Sequence, residues 1–148
     1  FHFAGVQAEN WWGTYVYYDS PLVRVEIDRS VEFGGIELEL IRLEHGLVPK
    51  NLYASWDDNA VVNHLYFGQL LRERAPEQWE ELRQYEGLEN EQLARALPHF
   101  AMALRVVCDD ILRGDLTRFD LATEERRQRI AERDRQIEEK KRQLEQPE

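Results

Sequence analysis

The chain has 148 residues, of which 43% are hydrophobic and 11% aromatic, and it carries a formal net charge of −10. A chain of this length buries about 68–70% of the surface its unfolded form exposes, so it fits one domain that needs neither disulfide nor metal. Positions 1–123 hold 11 basic and 21 acidic residues and carry the whole balance of −10, because 124–148 hold eight of each sign. Such a body repels nucleic-acid phosphates and anionic membranes, and it steers towards basic surfaces. Cys108 is the single cysteine, which excludes an intrachain disulfide. No stretch approaches the roughly 20 apolar residues of a membrane span. The start, Phe1-His2-Phe3, lacks the basic and apolar regions of a signal peptide, and the expectation is a cytoplasmic protein. Met102 is the only methionine, which points to a trimmed N-terminus or a domain excised from a longer chain.

The first third of the chain reads as strands. Thr14 to Tyr18 is a β-prone run ended by the turn signal Asp19-Ser20-Pro21. Val23, Val25 and Ile27 alternate with Arg24, Glu26 and Asp28, the period of a strand with one wet face. After Gly34-Gly35, Ile36, Leu38 and Leu40 alternate with Glu37, Glu39 and Ile41, so the two runs form an antiparallel hairpin. The result is a three-stranded meander, with Asn51 to Ala54 as a candidate extension.

The middle of the chain changes to helical spacing. Asp57 or Asp58 caps an expected helix with apolar positions Val61, Val62, Leu65, Tyr66 and Leu70. Pro76 suits the first position of a short helix bearing Trp79 and Leu82 and closed by Gly87. Asn90 opens a longer helix striped by Leu93, Leu97, Phe100, Leu104, Cys108 and Ile111, which Pro98 kinks or splits and Gly114 ends. Strands followed by helices indicate an α+β fold, an N-terminal antiparallel β-meander packed against C-terminal helices. A long charged C-terminal helix completes it. The expected division is an acidic globular domain over 1–121 and a charged helical extension over 122–148.

That extension has Glu124 and Glu125 in its first turn, and i,i+4 pairs Glu125–Arg129, Arg135–Glu139 and Glu138–Arg142. Its large apolar residues, Ile130, Ile137 and Leu144, recur every seventh position and supply half of a coiled-coil seam. A solvated projecting helix, weak self-association through 123–145, and docking on the body are the three readings.

Signatures of common catalytic folds are absent: there is no GxGxxG, HExxH, GxSxG or CxxC. The histidines, His2, His45, His64 and His99, show no metal-ligand spacing on a shared helix face. Cys108 lies on an apolar stripe, where a thiol behaves as a small hydrophobe. Asp57-Asp58 and Asp109-Asp110 are adjacent in sequence and point apart on a helix, unlike the facing carboxylates of a hydrolase. No catalytic residue, metal or cofactor is expected.

Two features bear on binding. Glu26, Asp28, Glu37 and Glu39 would share the hairpin's outward face, where like charges oppose one another and a basic partner would relieve them; Arg24 and Arg42 are candidate offsets. Trp11, Trp12, Tyr15, Tyr17 and Tyr18 form an aromatic run whose tyrosines fall on both faces of one strand. Trp11, Trp12 and Tyr18 are therefore candidate anchors beside the four acids.

The order of N-terminal strands including Val23-Arg24-Val25-Glu26-Ile27, then a helix ending Ile111-Leu112-Arg113-Gly114-Asp115-Leu116, resembles small immunity proteins of bacterial toxin–immunity loci. The resemblance covers roughly residues 14–121 and leaves the charged tail outside. It implies a protein that sequesters a partner and performs no chemistry. Together with the acidic face, the expectation is a non-catalytic protein that occludes a basic surface on a toxin or other protein effector, and the net charge argues against direct contact with nucleic acid or membrane. A structural adaptor using the C-terminal helix, and an enzyme with an unrecognised site, are the alternatives.

Overall fold

Period-2 alternation in the first 42 residues becomes a sheet in the computed structural model, which describes residues 2–9, 13–30, 35–50, 52, 61–83 and 90–144. The strands are β1 (His2–Glu9), β2 (Gly13–Asp19), β3 (Val23–Ser30), β4 (Gly35–Arg42) and β5 (His64–Tyr66). They lie side by side in chain order, each antiparallel to the next. The meander read from the sequence is β2 to β4; β1 and β5 extend it at its two edges. Ser20 sets the β2–β3 turn, its backbone N–H donating to the Val23 carbonyl at 2.9 Å and its hydroxyl oxygen accepting from the Val23 N–H at 2.9 Å.

Register decides which residues make the core. Val25 faces Leu40 and Ile27 faces Leu38 across β3–β4, and Leu65 of β5 faces Leu40. Val23, Val25, Leu38, Leu40 and Leu65 are buried on this face under one layer of helices. The helices are α1 (Phe67–Arg74), α2 (Pro76–Arg83), α3 (Asn90–Val107), α4 (Asp109–Leu112) and α5 (Thr117–Leu144). They contribute Phe67, Leu70, Leu71, Leu82, Ala103, Val107, Ile111 and Phe119 to the same core, and Cys108 between α3 and α4 joins them. The fold is α+β, with a long charged C-terminal helix.

Several boundaries differ from the sequence reading. The helix expected from Asp57 or Asp58 through Leu70 is strand first: His64–Tyr66 pairs with β4, and helix begins only at Phe67. Leu65 points to the core and His64 and Tyr66 to the other side, a period of 2 that a three-residue strand cannot distinguish from helical spacing. Asp57 and Asp58, three of the four residues of the Asn51–Ala54 extension, and Gly87 lie outside the described residues.

Helix α3 runs through Pro98 without ending there, and the break falls at Cys108. Its buried positions include Ala96, Ala103 and Val107, while Leu97 is exposed; close helix packing favours the small alanines over the large leucine. At the break the Val107 carbonyl accepts a hydrogen bond from Arg74 Nη1 at 2.6 Å, and the same guanidinium group meets Asp110 at 2.8 Å. Gly114, at φ +98°, closes α4: its N–H donates to the Ile111 carbonyl and that of Asp115 to the Asp110 carbonyl, the paired bonds of a Schellman ending. The Asp115 carboxylate then accepts from the Thr117 N–H at 2.9 Å and starts α5.

Helix α5 is one continuous helix of 28 residues, so it crosses the 121/122 boundary expected between body and extension. Its first turns are docked: Phe119 is fully buried, and Ala122 and Thr123 are buried beside it. The Thr123 hydroxyl oxygen accepts from the Val62 N–H at 3.0 Å, and Asp120 meets Arg42 at 2.7 Å. Every residue from 131 to 144 is exposed. Of the pairs read from sequence, Glu138–Arg142 forms at 3.8 Å, while Glu125 reaches back to Arg118 at 3.1 Å. Among the described residues no helix is long and apolar enough to cross a membrane.

The anchoring of α5 is testable. Phe119→Ala should cost about 3–5 kcal/mol in urea unfolding, as expected for truncating a fully buried aromatic. Ile137→Ala, on the exposed part of the same helix, should change stability by less than about 0.5 kcal/mol.

Candidate functional site

The face of the sheet turned away from the helices holds the four acids singled out in the sequence. Register sets Glu26 opposite Glu39 and Asp28 opposite Glu37. Directly opposed side chains in an antiparallel pair have Cβ atoms about 4.5–5.5 Å apart, so each pair sets carboxylate against carboxylate. Glu37 is exposed and the other three are half-buried. Burial pushes the Glu26 carboxyl above its ordinary value; the Arg24 charge opposes the shift, while Asp28 and Asp19 add to it. Burial likewise raises Asp28, with the Glu37 charge adding to it. Asp28 Oδ1 is buried with no hydrogen-bond partner among the described residues. The fold therefore holds these groups where their charged forms are disfavoured.

Of the two cations weighed as offsets, Arg24 acts on Glu26 and Arg42 does not reach this face. Arg24 lies on this face, but Asp19 holds it bidentately, Nε to Oδ1 at 2.8 Å and Nη2 to Oδ2 at 2.9 Å. Arg42 stands opposite Val23, on the core side, and pairs with Asp120 of α5. The parity of β4 places Arg42 on the core side, not among the acids.

The aromatic anchors separate. Tyr17 is opposite Glu26 and shares the acidic face, with the Arg24 guanidinium stacked 4.3 Å from its ring centroid. That ring lies over Gly5 of β1, where a Cβ would come within 2.7 Å of it. Tyr18 is opposite Val25 and so belongs to the other face, where it is 38% exposed. Trp11 and Trp12 lie outside the described residues. An aromatic that sequence reasoning missed is Tyr66, opposite Glu39 and 48% exposed. Burial raises its phenol pKa, with the charges of Glu39 and Glu37 adding to the shift. Assigning Tyr66 to a helix concealed it; its pairing with β4 brings it beside the acids.

Groups capable of covalent or metal chemistry are dispersed. Cys108 is fully buried and its thiol is pushed up to about 12, chiefly by desolvation. Asp109 pairs with Arg113 at 2.8 Å and Asp110 with Arg74. His99 is exposed on α3, His45 sits in a turn with φ 53°, and His64 packs edge-on to Tyr66 at 5.2 Å between ring centroids. Among the described residues no three histidine, cysteine or acidic side chains are grouped to hold a metal ion. Helix α3 also exposes Leu97, Met102 and Val106.

No protein family, curated protein or solved structure matches the chain.

Two outcomes follow from this electrostatic arrangement. The Glu26 pKa is raised in the fold, so its contribution to stability is present below the ordinary value of 4.5 and lost as pH rises through the folded value. Glu26→Gln should accordingly be more stable than the unaltered chain at pH 7, by a few tenths to about 1 kcal/mol. The gain should vanish when thermal unfolding is measured at pH values below the ordinary carboxylate range. Cys108 should react with a thiol reagent only as the protein unfolds, so that labelling and unfolding rates coincide across a urea series.

Proposed function

We propose that this protein is a non-catalytic binding protein that uses the acidic sheet face to occlude a basic surface on another protein. The observation that carries the reading is two opposed carboxylate pairs, Glu26–Glu39 and Asp28–Glu37, on the side of the sheet turned away from the helices. Like charges across a sheet cost stability, and a cationic partner relieves that cost on binding. Tyr17 and Tyr66 flank the acids and supply the rigid amphipathic surface that interface anchors require. The net charge of −10 steers the encounter, while the tyrosines and the desolvated carboxylates hold the complex. The resemblance to immunity proteins supports a toxin or other basic effector as the partner.

The experiment is a pull-down with the intact chain and with Glu26, Asp28, Glu37 and Glu39 all changed to lysine, both shown to be folded. A basic protein captured by the intact chain and lost by the variant supports the reading; identical capture by both refutes it. Binding should also weaken on acidification at a pH above the ordinary carboxylate values of 4.5 and 3.8, because Glu26 and Asp28 protonate early.

The outer half of α5 favours a second reading, that of an adaptor. Ile137 and Leu144 are 45% and 86% exposed on a helix that has left the body. Under this reading the intact chain sediments as a dimer, and Ile137→Asp with Leu144→Asp returns it to a monomer. A monomer in both cases removes it.

A further inference from the structure

Helix α5 leaves the body alongside β5, the last strand of the sheet, and the seam between them opens into a groove of about 430 Å3. The helix wall of this groove carries Arg118, Arg126, Arg129 and Arg133, with Glu125 as the acidic residue among them. His64 and Tyr66 line the strand wall, and Val62 and Ile130 make part of the lining apolar. On a body of −10 the groove reverses the prevailing charge.

The arrangement along the helix is specific. Arg129 follows Arg126 by three positions and precedes Arg133 by four, the spacing of neighbours on one helix face, where like charges are unfavourable. Arg127–Glu124, Arg135–Glu132 and Arg142–Glu138 pair at three or four positions elsewhere on α5, and Glu125 and Glu132, which flank Arg129 at four and three positions, pair with Arg118 and Arg135. In the groove, Arg133 meets the adjacent Asp134 at 3.1 Å. Arg118 is fixed at the inner end by Glu73 at 2.9 Å and Glu125 at 3.1 Å. The Arg126 charge reaches across to His64, adding to the burial that lowers the imidazole pKa against a hydrogen bond with the Leu52 backbone.

We infer that this groove binds an extended acidic segment of another polypeptide, its alternate carboxylates taken by Arg126, Arg129 and Arg133 and its intervening side chains resting on Tyr66 and Ile130. Successive arginines are about 4.5 and about 6 Å apart along the helix axis. Alternate residues of an extended chain are about 6.6 Å apart, a difference the long arginine side chains absorb. The guanidinium fork suits carboxylates bidentately. A compact oxyanion would engage one or two of these arginines and leave the apolar lining uncovered. Repulsion from the acidic body is screened beyond about 8 Å at physiological ionic strength, so the local charge prevails. The inference does not rest on the acidic face, which takes a ligand of the opposite sign.

The test is fluorescence anisotropy of a rhodamine-labelled hexapeptide of alternating glutamate and valine, titrated with the full chain. Saturable binding that weakens with added salt is expected. Changing Arg126, Arg129 and Arg133 together to glutamate should weaken it by about tenfold or more. Changing Arg127, Arg135 and Arg142 to glutamate alters the net charge equally and should leave affinity within about twofold. An equal loss in both variants, or no saturable binding by the unaltered chain, overturns the inference. Tighter binding of tripolyphosphate than of the peptide, lost in the groove variant alone, also overturns it by assigning the site to a compact phosphate. Should the triple variant not fold, hydrogen exchange on the unaltered chain decides: the peptide must protect 62–66 and 126–133, and protection elsewhere contradicts the assignment.

Discussion

The antiparallel register between β3 and β4 is the constraint from which the rest of this molecule follows. It places Val25 against Leu40 and Ile27 against Leu38 on one side, and Glu26 against Glu39 and Asp28 against Glu37 on the other. A slip of one residue would exchange these sets, so burial of the aliphatic row fixes the position of the acidic row. Apolar burial, at about 25 cal/mol per Å2, outweighs the cross-strand repulsion of partly solvated carboxylates, worth tenths to about 1 kcal/mol per pair. The sheet thus tolerates an unfavourable charge pattern on its outer face because its helix-covered face decides the pairing.

Strand β5 extends this logic in three residues. Leu65 completes the apolar row opposite Leu40, while Tyr66, opposite Glu39, borders the acidic face and also lines the basic groove beside α5. Two surfaces of opposite sign therefore meet at one side chain. The helix that forms the groove is held in place by the buried Phe119, the Thr123 bond to the Val62 backbone, and the Arg42–Asp120 pair. Beyond Ile130 it runs into solvent, where i,i+3 and i,i+4 ion pairs of a few tenths of a kcal/mol each sustain a helix already nucleated by the body.

Much of this was legible in the sequence, and the rest was hidden for identifiable reasons. Alternation over Val23 to Asp28 and Ile36 to Ile41 was long enough to declare two strands, their faces and the acidic row. Pro76 and Gly114 marked a helix start and a helix end correctly, since each restricts or frees the backbone locally. The stretch from Val61 to Leu70 misled because its apolar spacing suits both periods, and only pairing with β4 shows that His64–Tyr66 is strand. Register likewise showed that Arg42 belongs to the core side and that Tyr18 faces away from the acids. The groove was invisible because it needs the placement of α5 along β5, yet part of its signal was present: Arg126, Arg129 and Arg133 recur at the three- and four-residue spacing of one helix face.

Under the proposed function, the fold holds carboxylates on the outer sheet face where their charged forms are disfavoured, and a cationic partner relieves them. The most direct measurement is an NMR titration of the side-chain carboxyl carbons of Glu26 and Asp28, in the free protein and with a saturating basic peptide. Both residues should titrate above the ordinary values of 4.5 and 3.8 in the free protein and move downward when the peptide is bound. Ordinary or depressed values in the free protein, unmoved by the peptide, would show the face to be an unstrained solvated surface and would contradict the account.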